Sequence, residues 1–150
     1  MAREIERKFL VKSDEYKALV TGKLYLKQAY LCFDPVVRVR IAGKKAFFAV
    51  KSTSKNGGLT RDEWEWAISV REASELMKLH KGKIIEKIRY IIPWENHVLE
   101  VDEFIRPVPD LVLAEIELNN ETEHLSLPDW IGEEVTGKEE YYNAFMSKHG

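Results

Sequence analysis

Residues 3–11 read REIERKFLV, and two regular structures compete for them. As a helix, Glu4 and Lys8 would form an i,i+4 ion pair worth about 0.2–0.5 kcal/mol, with Ile5 and Phe9 also four apart. As a strand, Glu4, Glu6 and Lys8 share one face, opposite Ile5, Arg7 and Phe9. An ordinary half-buried strand would turn those three charges to water. The segment alone does not choose between these readings, but the rest of the chain does.

The chain has 150 residues, 45% hydrophobic and 32% charged, which suits a single domain spanning 1–150 with a core of its own. Twenty-three Lys and Arg against 25 Asp and Glu leave a net charge of −2, so bulk electrostatics does not make it a nucleic-acid binder. Position, not total charge, must carry any affinity for anions. The single cysteine, Cys32, excludes an intramolecular disulfide, fits a reducing compartment and reads as a small hydrophobe beside Leu31 and Phe33. No apolar run approaches the roughly 20 residues that cross a bilayer, and no signal-peptide core opens the chain. A cytoplasmic protein with no membrane partner is expected.

Beyond the first segment, Ser13 reads as an N-cap for a short helix in DEYKALV, ended by Gly22. Strand patterns then follow in order: KLYLKQAYL, VVRVRI, a hairpin turn at Gly43, KAFFAVKS, the loop TSKNGGL and TRDEWEWAI. A helix is expected from about Val70 to His80. KIIEKIRYII, a turn at PWEN, HVLEVDEF, the proline-marked loop RPVPD and LVLAEIELNN complete eight strands. After EEVTG (133–137) a last helix is expected. There is no internal repeat, low-complexity tract or linker.

Alternate positions sort the charges strand by strand. Arg38 and Arg40 share a face, as do Arg61, Glu63 and Glu65, with Trp64 and Trp66 opposite. Lys87 and Arg89 oppose Ile88 and Tyr90, Glu100 and Asp102 oppose Leu99 and Val101, and Glu115 and Glu117 oppose Ile116 and Leu118. Lys51 sits with Phe47 and Ala49. The first, fifth, seventh and eighth strands carry acids, while the third and sixth carry only bases. A solvated sheet face has no reason for such sorting. Eight strands can instead close into a barrel, which removes the exposed edges and leaves a lumen wide enough for a small ligand. The expected fold is therefore α+β and mostly β: a closed, eight-stranded antiparallel barrel with a charged lumen and a few covering helices. Its lumen would hold eight carboxylates, Glu4, Glu6, Glu63, Glu65, Glu100, Asp102, Glu115 and Glu117. Facing them would be seven bases, Lys8, Arg38, Arg40, Lys51, Arg61, Lys87 and Arg89. Such an interior is costly unless the charges are hydrated, paired or liganded. The apolar outer wall then needs helices or a second subunit, and a homodimer is expected to cover part of it.

Each sign has a chemical use. Arg and Lys bind phosphate oxygens by charge-assisted hydrogen bonds. Glu and Asp bind hard divalent cations, and Mg²⁺ takes one or two carboxylates plus phosphates and water. Together they describe a polyphosphate bridged by metal to one wall and held by bases on the other.

The E-x-E-x-K of Glu4, Glu6 and Lys8, the R-x-R of Arg38 and Arg40, Lys51, the E-x-E of Glu63 and Glu65, and the K-x-R of Lys87 and Arg89 resemble the CYTH superfamily, the triphosphate tunnel metalloenzymes. Glu100-x-Asp102, Glu115-x-Glu117 and EEVTG extend the likeness over nearly the whole chain. The resemblance implies a tunnel fold, a small triphosphate substrate and Mg²⁺ or Mn²⁺, with two ions per site. It also implies a C-terminal helix that plugs one mouth. On this footing Glu4, Glu6 and Glu117 would hold one ion, with a second nearer Asp102 and Glu115, Glu100 adding to the ligand set. Lys8, Arg38, Arg40, Lys51, Arg61, Lys87 and Arg89 would bind the phosphates, and Glu63 and Glu65 would orient the bases. Inorganic triphosphate is the expected substrate because the short chain leaves few loop residues for a base-specific pocket. Related members hydrolyse thiamine or nucleoside triphosphates or cyclise ATP, and a non-catalytic polyphosphate sensor is the alternative outside enzymes. The four histidines have no metal-ligand spacing, the Trp64/Trp66 pair reads as outer-wall packing, and KNGG reads as a turn.

Overall fold

The computed structural model describes residues 1–150. Nine strands are formed: β1 (Ala2–Val11), β2 (Gly22–Phe33), β3 (Val36–Ala42), β4 (Lys45–Lys51), β5 (Thr60–Ile68), β6 (Lys81–Trp94), β7 (His97–Arg106), β8 (Val112–Glu117) and β9 (Ile131–Glu134). Two α-helices, α1 (Val70–Met77) and α2 (Asn143–His149), and two 3-10 turns, Glu15–Leu19 and Glu139–Tyr141, complete the chain.

Eight strands run in the order β5-β4-β3-β2-β6-β7-β8-β1, and β1 pairs back onto β5, so the sheet closes. Every pairing is antiparallel, as hairpin connections allow. The first strand makes the closure. Residues 2–5 pair with β5, residues 6–10 pair with β8, and Phe9 and Val11 pair with β9. The ninth strand departs from the expected eight, because IGEE is only four residues long and too short to show alternation.

Both hairpin turns pass through positive φ: Gly43 (+59°), which has no Cβ to clash, joins β3 to β4, and Glu95 (+53°) takes the left-handed conformation between β6 and β7. Pro93 and Trp94, expected in the turn, instead extend β6 and pair with Val98 and His97. Helix α1 starts on a complete capping box, in which the Ser69 side chain accepts from the Glu72 N–H and Glu72 answers to Ser69. It ends at Met77, short of the expected His80. The segment after Ser13 makes only a 3-10 turn, and its N-cap residue, Asp14, makes no side-chain cap bond. Five residues are too few to sustain an α-helix without packing on both ends.

Three apolar clusters surround the barrel wall. On the outer face of β2, β3 and β4, Ala29, Val39 and Ala46 receive Ala73 and Met77 of α1. Outside β1, β7 and β8, Ile5, Phe9, Leu99, Val101, Ile116 and Leu118 are covered by Tyr16, Trp130 and Ile131, with Leu125 and Leu127 at the edge. The largest covered wall is thus closed by the irregular 119–130 segment rather than by helices, and each such side chain contributes about 1.5–3 kcal/mol on burial. The third cluster, Tyr30, Ile85, Phe104, Leu113, Val135 and Met146, fills one end of the barrel beneath α2. Trp64 and Trp66 lie on the outer wall as expected, but Trp66 is 52% exposed against Phe48.

Candidate active site: a charged cup closed at one end

Strand alternation delivers the inward residues in rows. In β1 the row is Glu4, Glu6, Lys8, in β8 it is Glu117, Glu115, Leu113, and the pairing sets Glu6 against Glu117 and Lys8 against Glu115. Row by row, charge gives way to apolar side chains toward the end filled by Tyr30, Phe104, Leu113 and Met146. The lumen is therefore a cup. Its cavity of about 290 Å³ is lined by 24 residues, only six of them hydrophobic.

Of the fifteen charged residues expected to face the lumen, fourteen line this cavity: Glu4, Glu6, Lys8, Arg38, Arg40, Lys51, Arg61, Glu63, Glu65, Lys87, Arg89, Glu100, Glu115 and Glu117. Asp102 is the exception. It is 1% exposed and lies on the same inward face but deeper in the barrel, level with Leu113, where Oδ1 accepts from Arg89 Nε at 2.8 Å and Oδ2 takes Arg89 Nη2 at 2.9 Å and Lys87 Nζ at 2.8 Å. Burial opposes its charge, but Arg89 and Lys87 together hold its carboxyl far below the usual range. Both of its oxygens are thus engaged by Lys87 and Arg89.

The remaining ions pair across strands. Near the β1–β5 seam, Lys51 Nζ lies 3.0 Å from Glu4 and 3.3 Å from Glu63. Glu65 meets Arg38 and Arg40 at 3.6 Å each. Deeper, Lys8 is 3.3 Å from Glu115, and Arg89 reaches Glu100 at 3.4 Å. Arg61 is not in this ion-pair network, and its guanidinium stands 5.9 Å over the Tyr142 ring. Burial alone would lift the Glu4 carboxyl, but Lys51, a hydrogen bond with Glu6 and the charge of Arg38 together outweigh it and hold Glu4 at about 2. Burial lowers Lys87 to about 8 against the pull of Asp102, with Arg89 adding repulsion.

Three carboxyls are pushed the other way. Burial and the neighbouring Glu115 and Glu4 drive Glu6 well above its ordinary value. Burial, Glu4 and Glu63 raise Glu117. Burial raises Glu100 despite Arg89, with Glu115 and Asp102 adding repulsion. Like charges set directly across a strand pair repel unless something positive lies between them. Glu4 Oε2, although 3.0 Å from Lys51 Nζ, forms no hydrogen bond and keeps an unfilled acceptor. No three His, Cys, Asp or Glu side chains converge into a finished metal cage. The acids offer carboxylate oxygens alone, the donor chemistry that suits a hard divalent cation.

The floor is made by the C-terminal segment. β9 leads into Val135, whose N–H donates to the Lys8 carbonyl at 2.8 Å, and Thr136 Oγ1 accepts from the Lys8 N–H at 2.9 Å. Tyr142, Asn143 and Ala144 then line the cavity. Lys8 Nζ donates to the Tyr141 carbonyl at 3.0 Å and stands 4.4 Å over the Tyr142 ring, while Lys87 Nζ donates to Asn143 Oδ1 at 2.8 Å. The KNGG turn belongs to the same construction. Gly58 has φ +92°, and a Cβ there would meet Gly137 Cα and Tyr142 Oη at 2.6 Å. Sequence reading missed Tyr142, Asn143, Gln28 and Tyr30 as lining residues. The last two do alternate on β2, but uncharged residues give no sign of which face is inside.

The chain matches the CYTH domain family over residues 2–147. It is 45% identical over 152 residues to an inorganic triphosphatase of Acetivibrio thermocellus, covering 99% of this chain and 96% of that protein. It is 35% identical to an inorganic triphosphatase of Nitrosomonas europaea, with 96% of each covered. The crystal structure of an inorganic triphosphatase superposes with a TM-score of 0.68 at 31% identity, covering 97% of both chains. The PH1012 protein of Pyrococcus horikoshii shares the fold, with a TM-score of 0.64 at 22% identity, covering 79% of this chain and 80% of that one.

Proposed function

The chain belongs to the CYTH domain family, and from that premise we propose that it is a metal-dependent hydrolase converting inorganic triphosphate to pyrophosphate and orthophosphate. The observation that carries the reading is the cup itself, with cations on β1, β3, β4 and β6 facing the opposed acids Glu6 and Glu117 above a closed floor. A cavity of about 290 Å³ lies at the small end of ligand pockets, which run roughly 300–1,000 Å³. Likeness to two inorganic triphosphatases at 45% and 35% identity supports the same substrate.

In this reading Arg38, Arg40, Lys8, Lys51, Arg61, Lys87 and Arg89 bind the phosphate chain and meet the charge that grows on its oxygens in the transition state. Asp102 locks Lys87 and Arg89 in place, so two of these cations are oriented before substrate arrives. Lys8, Arg38, Lys87 and Arg89 are buried, and their low-dielectric surroundings strengthen their contacts. Glu4, Glu6 and Glu117 would hold one ion, and Glu100 with Glu115 a second, either Mg²⁺ or Mn²⁺. When bound, such ions supply Lewis acidity toward phosphate oxygens and a more acidic water. No helix is long and apolar enough to cross a membrane, and Cys32 is unpaired, which supports a cytoplasmic location for the single domain. The exposed Trp66, beside Trp64, supports a homodimer joined through the outer wall.

The deciding experiment incubates the protein with inorganic triphosphate and with ATP, each with Mg²⁺ and with Mn²⁺, and separates products by ion exchange. Pyrophosphate and orthophosphate from inorganic triphosphate, at least as fast as ATP is cleaved, are expected. Cyclic AMP as the main product would make it a cyclase, and no turnover with either metal would make it a binding protein.

A further inference from the structure

β2 is the one barrel strand that brings no charge to the lumen, yet it lies between the two most basic walls. Gln28 pairs directly with Arg40 of β3, Tyr30 pairs with Arg38, and on the other side β2 pairs with the stretch of β6 that carries Lys87 and Arg89. Gln28 lines the cavity at 1% exposure. Its Nε2 donates to Tyr30 Oη at 3.2 Å, and its Oε1 has no partner in the chain. The Nε atoms of Arg38 and Arg40 are likewise buried and unpartnered. Three unsatisfied polar atoms on two adjacent strands mark a place where a ligand completes the bonding, because buried polar groups are otherwise paired.

We propose, resting on the triphosphatase reading above, that Gln28 binds substrate through a neutral amide hydrogen bond to a phosphate oxygen held among Arg38, Arg40, Lys87 and Arg89. A half-turn of the amide lets the Tyr30 hydroxyl donate to Oε1 and presents the NH₂ group to phosphate. Which end faces which partner is set by what must be bonded. The residue type follows from its surroundings. Burial, Arg38 and Arg89 already lower Arg40 to about 10, so a fifth cation between these walls would itself resist protonation. An amide supplies a donor with no added repulsion. A carboxylate would instead be held by the arginines and would repel the substrate.

Steady-state hydrolysis of inorganic triphosphate by Gln28→Met and Gln28→Glu tests this, with thermal unfolding followed in parallel. Gln28→Met keeps the length and removes the amide. Its KM rises about ten- to a hundred-fold, the worth of one hydrogen bond to a charged group, while kcat changes less than about threefold and the unfolding temperature holds. Gln28→Glu raises KM further. A KM within about twofold of wild type in Gln28→Met overturns the assignment, as does a fall in kcat alone. If Gln28→Met does not fold, Gln28→Glu decides, and a KM equal to wild type there rejects the contact. Wild-type turnover separately tests the triphosphatase reading. If it is absent, calorimetric titration of inorganic triphosphate into wild type and Gln28→Met in EDTA reads the same contact, and equal affinities overturn it.

Discussion

Glu6 of β1 and Glu117 of β8 are direct partners across the strand pair, both pushed above the ordinary carboxyl range, and the chain places no salt bridge against either. Positive charge falls short around this pair, although Lys51 and Lys8 partly oppose the shift of Glu6.

Removing one of these acids should therefore separate stability from activity. Because the folded state raises the Glu6 pKa, the stability linked to it is present at low pH and lost as pH rises toward the folded value. Glu6→Gln abolishes that loss, so at pH 7.5 without metal its unfolding temperature equals or exceeds that of wild type. Turnover of inorganic triphosphate falls by at least about 100-fold, beyond the loss typical of outer-shell partners. Differential scanning calorimetry and a phosphate-release assay measure the two effects.

Asp102 should show the reverse. Asp102→Asn leaves Lys87 and Arg89 buried without their counter-charge, which costs about 3–5 kcal/mol in urea unfolding. The depressed Asp102 pKa makes its contribution present above the usual carboxylate value and lost as pH falls through the folded one. The wild-type acid-unfolding curve should accordingly lose one steep limb in Asp102→Asn.

Lys87 sets an alkaline limit. Burial and Arg89 lower it to about 8, so its charge is present below that pH and lost above it in the free enzyme. kcat/KM, which reports groups of the free enzyme, should decline above pH about 8, and Lys87→Arg should move that limb upward. A pH profile identical in wild type and Lys87→Arg would assign the limb elsewhere.

Arg40 should depend on its fork. Arg40→Ala is expected to raise KM for inorganic triphosphate about ten- to a hundred-fold, and Arg40→Lys to recover only part of that, because an ammonium cannot make the bidentate contact. Equal kinetics for the Lys variant and wild type would show that charge alone suffices.

On the outer wall, Trp66→Glu places a charge where half of a large ring meets solvent. Multi-angle light scattering at high micromolar concentration should find wild-type dimers and Trp66→Glu monomers with turnover intact. A monomeric wild type would reject the dimer.

The charge sorting was legible in the sequence because a strand repeats every two residues. That local period alone puts Glu4, Glu6 and Lys8 on one face and Ile5 and Phe9 on the other, and the same arithmetic oriented Arg38, Arg40, Lys87, Arg89, Glu115 and Glu117. It even fixed the closed barrel, since strands with sorted charges on one face and apolar residues on the other have few ways to satisfy both. Tertiary structure alone decided what each charge meets. Asp102 reads like Glu100 in the sequence, yet the register sets it against Arg89 and Leu113 at the closed end of the barrel, below the cavity that Glu100 lines. Gln28 and Tyr30 carry no charge to reveal their face, and Tyr142 and Asn143 reach the floor only because β9 ties the C-terminal segment to β1. Pairing register and chain return depend on contacts between residues far apart in sequence, and no local period encodes those.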